Sequence, residues 1–91
     1  MENLNLSIGI IEITGYVAVI SALDTLLNAA NVEVIDKERI GSGIVVIIIA
    51  GSISNIKEAV KSAEIAIKKL NSKCRYTVIT KPHNDLWRII P

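Results

Sequence analysis

The chain has 91 residues, ten Lys and Arg against nine Asp and Glu, one His and one Cys. That length predicts a single domain, residues 1–91. The lone Cys74 excludes an intramolecular disulfide, and a net charge of +1 with both signs interspersed argues against nucleic acid or an anionic membrane as the main partner.

Hydrophobic residues make up 51% of the chain and mean hydropathy is +0.47. A domain of this size buries only about 60–65% of the surface its unfolded chain exposes. So high an apolar load therefore predicts surface turned toward other protein. Aromatic content is 3% with no Phe, which removes the stacking residues of a single-strand RNA reader. The longest strongly apolar run, residues 44–50, is far short of the about 20 that cross a bilayer, and the N-terminus lacks a basic start before an apolar core. A soluble cytoplasmic protein is expected.

Residues 4–14, LNLSIGIIEIT, are rich in β-branched side chains and read as a strand ended by Gly15. Residues 16–30 read as a helix, with Ile20, Leu23, Leu27 and Ala30 at helical spacing and Val19 and Leu26 on a second apolar flank. A helix apolar over so much of its girth is expected to be buried on more than one side. Residues 31–39 begin with alternation at Val32, Glu33 and Val34, a strand with one wet face. After Gly41-Ser42-Gly43 come six β-branched residues, 44–49, read as a central strand buried on both faces. Ser52 is positioned to cap a second helix, whose apolar stripe is Ile56, Val60, Ala63, Ile67 and Leu70. Residues 73–81 form the last long strand, stopped by Pro82, and HNDLWRIIP is a short helical or turn-like tail. The order is strand, helix, strand, strand, helix, strand. It predicts an α+β, ferredoxin-like domain with a four-stranded antiparallel sheet and both main helices on one face.

Little here suggests catalysis. A phosphate-binding loop wants its glycines between a strand and a helix, with a following lysine, so that helix N–H groups meet the phosphate. Gly41-Ser42-Gly43 leads into a strand instead and reads as a hairpin turn. His83 and Cys74 stand alone, without the spacing of a metal site, and no cofactor is expected. Glu12, at the end of an apolar strand, must face water or meet a base. No pair of carboxylates sits in an acid–base arrangement.

Four blocks, IGIIEITGY, NVEVIDKERIGSGIVV, AGSISNIKEAVKSAE and KPHNDLWRIIP, together resemble the single-domain, hexamer-forming shell proteins of bacterial microcompartments. The resemblance covers essentially the whole chain in unpermuted order. Its marks are Glu12 to Gly15, Ala30-Asn31-Val32, Arg39 to Gly43, and Pro82, His83 and Asp85. It implies a variant of the ferredoxin-like fold, the BMC domain, assembled as a cyclic hexamer that tiles edge to edge with itself and with other shell paralogues around encapsulated enzymes. It also implies that Arg39, Ile40, Gly41, Ser42 and Gly43 line a central pore for small polar metabolites, and that the protein is not an enzyme.

The same resemblance exposes departures. Where relatives carry a lysine near the end of the first helix this chain has Asn28, and the arginine before the Pro-His step is Lys81; Asn28, Lys81 and His83 are the expected hexamer-edge contacts. Replacing Arg by Lys loses a planar, bidentate fork, so weaker or differently angled edges are expected. Ala50 and Trp87 stand where charged residues are common. Ile, Lys and Asn richness tilts the enclosed pathway toward a catabolic metabolosome rather than a carboxysome. The competing class is a regulatory module of ACT-like or PII-like topology, which binds effectors as dimers or trimers. An acylphosphatase-like enzyme is disfavoured because no arginine precedes Arg39.

Overall fold

In a computed structural model, which describes residues 6–29 and 31–79, β1 (Ser7–Thr14) leads into α1 (Tyr16–Asn28) and then β2 (Val32–Arg39). A tight connection leads to β3 (Ile44–Gly51), followed by α2 (Ile53–Lys69) and β4 (Cys74–Ile79). The sheet order is β2-β3-β1-β4 and every pairing is antiparallel. Each helix thus carries the chain past one intervening strand, the ferredoxin-like arrangement expected from the element order. The expected Pro82 stop and C-terminal tail lie outside the described residues.

The register sorts side chains by face. Gly9, Ile11 and Ile13 of β1 stand opposite Ile49, Ile47 and Val45 of β3, and this face carries both helices. Ile11, Ile13, Ile47 and Ile49 pack with Ala18, Ala22 and Leu26 of α1 and with Ile56, Val60 and Ile67 of α2. Gly9 lets α2 come down onto β1: a Cβ there would lie 2.9 Å from Ile56 Cγ2 and 3.0 Å from Ile49 Cγ1. Ser52 caps α2 as its sequence position predicts, its side chain accepting from the Asn55 N–H at 3.3 Å. The stripe Ile56, Val60, Ala63 and Ile67 is buried as expected, while Leu70, past the last turn, is 41% exposed.

Two expectations change. In α1 the buried side is Ala18, Val19, Ala22 and Leu26, whereas Ile20 and Leu27 are 51% and 68% exposed. The alanines decide this, because their small side chains let the helix approach its neighbours closely, and dense packing outweighs a larger but looser apolar stripe. β3 is central, but its two faces are unequally buried: Ile47 and Ile49 are sealed against the helices, while on the other face Ala50 is buried and Val46 and Ile48 are half-buried. Glu12, on that same face, is half-buried and stands opposite Arg75 in register.

β2 also departs from simple alternation. Val34 pairs with Ile49, but Asp36 pairs with Ile48, so Ile35 is an extra residue in a β-bulge. Regular alternation would put Asp36 and Glu38 on the helix face. The bulge instead puts Lys37 and Arg39 there, opposite Ile47 and Val45. Physical chemistry favours this register, since long Lys and Arg stems can lie on apolar surface and still reach water, whereas short carboxylates cannot.

Candidate pore loop

The loop between β2 and β3 is a hairpin turn within one chain. The Ile40 N–H donates to Ile44 O at 3.0 Å, and the Ile44 N–H donates to Gly41 O at 2.8 Å. Three successive residues have positive φ: Gly41 at 100°, Ser42 at 46° and Gly43 at 76°. Positive φ at both central residues of the 41–44 turn matches the twist of the flanking strands. A Cβ added at Gly41 or Gly43 would meet nothing within 4 Å, so the backbone conformation, not crowding inside the chain, calls for glycine. Ser42 occupies the left-handed region despite its side chain, at a cost of about 1 kcal/mol. Arg39, Ile40, Gly41, Ser42 and Gly43 are all exposed. They lie together at the connection between β2 and β3, at one end of the sheet.

A second segment holds this loop. The Gly15 N–H donates to Gly43 O at 3.0 Å, tying the hairpin to the corner between β1 and α1. Gly15 has φ 107° there, and α1 begins without a side-chain cap or an acidic residue in its first turn. The positive end of the helix dipole is thus left uncompensated beside the loop. The sequence marked Gly15 as a strand end and as the close of the Glu12 to Gly15 step. Its role as a tether joins residues 28 positions apart, which no local pattern reveals.

The expected edge residues are treated unequally. Asn28 is exposed at the end of α1, and its amide donates to Asp24 O at 2.7 Å and to Asp24 Oδ1 at 3.2 Å. It is folded back on its own helix, unlike an extended lysine. Lys81 and His83 lie outside the described residues. Among the described residues no three His, Cys, Asp or Glu side chains gather into a metal-binding group. Burial, and then the negative charge of Glu64, push the Cys74 thiol above its ordinary value, which leaves less thiolate and a poorer nucleophile at neutral pH.

A sequence profile of the BMC domain matches residues 7–82. The chain belongs to the BMC domain family. It is 33% identical over 85 residues to the bacterial microcompartment shell protein PduA of Citrobacter freundii, covering 93% of this chain and 91% of that protein. It is 31% identical over 90 residues to the carboxysome shell protein CcmK2 of a Synechocystis strain, covering 97% and 87%. The fold resembles that of a microcompartment protein from Desulfitobacterium hafniense, with a TM-score of 0.80 and 20% sequence identity. That match spans 93% of this chain and 46% of the other. No helix among the described residues is long and apolar enough to cross a membrane.

Proposed function

We propose that this structural shell protein of a cytoplasmic bacterial microcompartment works as a cyclic hexamer, tiled with itself and other shell proteins, whose central opening is the 39–43 loop. It acts as a wall and a sieve and carries out no chemistry of its own. The observation that carries the reading is the loop: an exposed hairpin that keeps three consecutive residues at positive φ, one of them a serine, although nothing in its own chain crowds it. The hairpin accounts for its glycines, but a serine kept at positive φ at an exposed tip carries a small strain of the kind found at functional sites. Repeated around an axis, glycines permit close backbone approach while Ser42 supplies hydroxyls, and Arg39 with the uncapped start of α1 biases the opening toward anions. Exposed Val17, Leu27, Ile65 and Tyr76 supply apolar surface of the kind that obligate assemblies bury.

Light scattering on the size-excluded protein tests the ring directly: six copies are expected, and a stable dimer or trimer would refute it. Asn and Gly both tolerate the left-handed conformation. Ser42→Asn should therefore narrow the opening and Ser42→Gly widen it without disturbing the hairpin. Flux of a small organic anion into closed shells should fall with the first and rise with the second. Equal flux in both would move permeation away from this loop.

A further inference from the structure

We propose that Gly15 is a positioning residue for the 39–43 loop: its N–H fixes where Gly43, and with it Ser42, stands at the tip. Any effect on an opening rests on the pore reading above, whereas the hold on the loop is a property of one chain. The loop's own two backbone bonds both close on Ile44, from the Ile40 N–H to Ile44 O and from the Ile44 N–H to Gly41 O. Neither reaches Ser42 or Gly43. Among the described residues those two share one backbone hydrogen bond, the 3.0 Å bond that Gly43 O accepts from the Gly15 N–H. Glycine permits many backbone conformations, so a Gly-Ser-Gly tip has little stiffness of its own. What orients Ser42 must therefore come from outside the turn.

Gly15 can supply that orientation because it is anchored on both sides. Thr14 pairs with Ile44 at the end of the β1–β3 register, and the Gly15 N–H extends that ladder by one rung. The Gly15 carbonyl accepts from the Val19 N–H at 3.0 Å and so begins α1. Close neighbours on either side, Ile13 and Ala18, are 0% and 1% exposed, while the tip is open to solvent. The corner is thus fixed in the core, and the loop is the part that can yield. Both roles of the Gly15 peptide need its backbone at φ 107° and ψ 131°, close to a region that is essentially restricted to glycine. Space is not the reason: a Cβ at Gly15 would make ordinary contacts, 3.8 Å from Ser72 Oγ and 3.9 Å from Ala18 Cβ. Gly15→Ala therefore leaves packing alone and acts on the backbone, turning the N–H away from Gly43 O as φ relaxes.

Backbone 15N relaxation on the full-length protein, in whatever assembly it forms, tests the hold on the loop. In the parent, residues 42–43 should show order parameters near those of rigid backbone, about 0.85, and in Gly15→Ala these should fall below about 0.6 while α2 keeps its value. Unchanged order at 42–43 in Gly15→Ala would overturn the proposal, and so would a tip already mobile in the parent. An equal loss of order in α2 would also overturn it, since Gly15 would then serve the fold as a whole. A second measurement needs no variant: in the parent the Gly15 amide should exchange with solvent more slowly than the exposed Ser42 amide, and equal rates would overturn the proposal. Flux of a small organic anion into closed shells separates this proposal from the pore reading. Order lost at the tip together with altered flux supports both; order lost with flux unchanged upholds the tether and refutes the pore.

Discussion

Replacing Gly9 by alanine adds one methyl group at the closest approach of α2 to the sheet. Alanine in a strand gains about 0.5–1 kcal/mol over glycine by restricting the unfolded chain. Against that, the new Cβ would stand 2.9 Å from Ile56 Cγ2 and 3.0 and 3.3 Å from Ile49 Cγ1 and Cδ1. Ile56 and Ile49 are fully buried, so neither can swing into solvent to make room. Overpacking a closed core costs about 1–3 kcal/mol. The net expectation is a loss of about 1–2 kcal/mol, read as a lower urea midpoint at unchanged slope and fixed protein concentration, since association also stabilises the folded chain. Heating should show a fall of roughly 4–8 °C per kcal/mol lost. Ile56→Ala alone should cost about 2–5 kcal/mol by leaving a cavity. In the double variant the Gly9 methyl partly refills that cavity, so the two losses should add to less than their sum by about 1 kcal/mol. A neutral or stabilising Gly9→Ala, or strict additivity in the double variant, would refute the claim that this contact fixes the position of α2.

Two further outcomes test separate features. Ser52→Ala removes the N-terminal side-chain cap of α2 and should cost about 1 kcal/mol by chemical unfolding, while Ser52→Asp should cost little. Cys74 has its folded pKa raised above the ordinary 9.0, so the stability it contributes is fully present below that value and is lost as pH rises through the folded one. The urea midpoint of the parent should drop more steeply above about pH 9 than that of Cys74→Ser, and iodoacetamide at pH 8 should label the unfolded chain faster than the folded one.

The strands and α2 were legible because their signals are local. Six successive β-branched residues, a serine cap and a stripe of spacing four, three, four each point one way without reference to the rest of the chain. The face of α1 was not legible. Ile20, Leu23 and Leu27 make as good a stripe as the one that is buried, and only the approach permitted by Ala18 and Ala22 separates the two. The loop at Arg39 to Gly43 was legible as a turn from its glycines, and its proposed role in a pore rests on the resemblance to shell proteins rather than on any local pattern. Its tether to Gly15 and the turning of Lys37 toward α1 depend on pairing between distant segments. For the same reason the self-bonding of Asn28 to Asp24 could not be read from the position alone, although Asp at i−4 makes it available.

The bulge at Ile35 can also be understood as a seam between two independent rulers. Counting outward from the 40–43 turn, Arg39, Glu38, Lys37 and Asp36 follow the register that the turn dictates. Counting inward from the start of the strand, Val32 and Val34 follow the register that their contact with the core dictates. The two counts disagree by one residue, and Ile35 absorbs the difference. Such a joint decouples the hairpin tip from the base of the strand. A residue gained or lost near the tip can be taken up at the seam without re-threading Val32 and Val34, so the hairpin tip and the core can change at different rates over the life of a lineage.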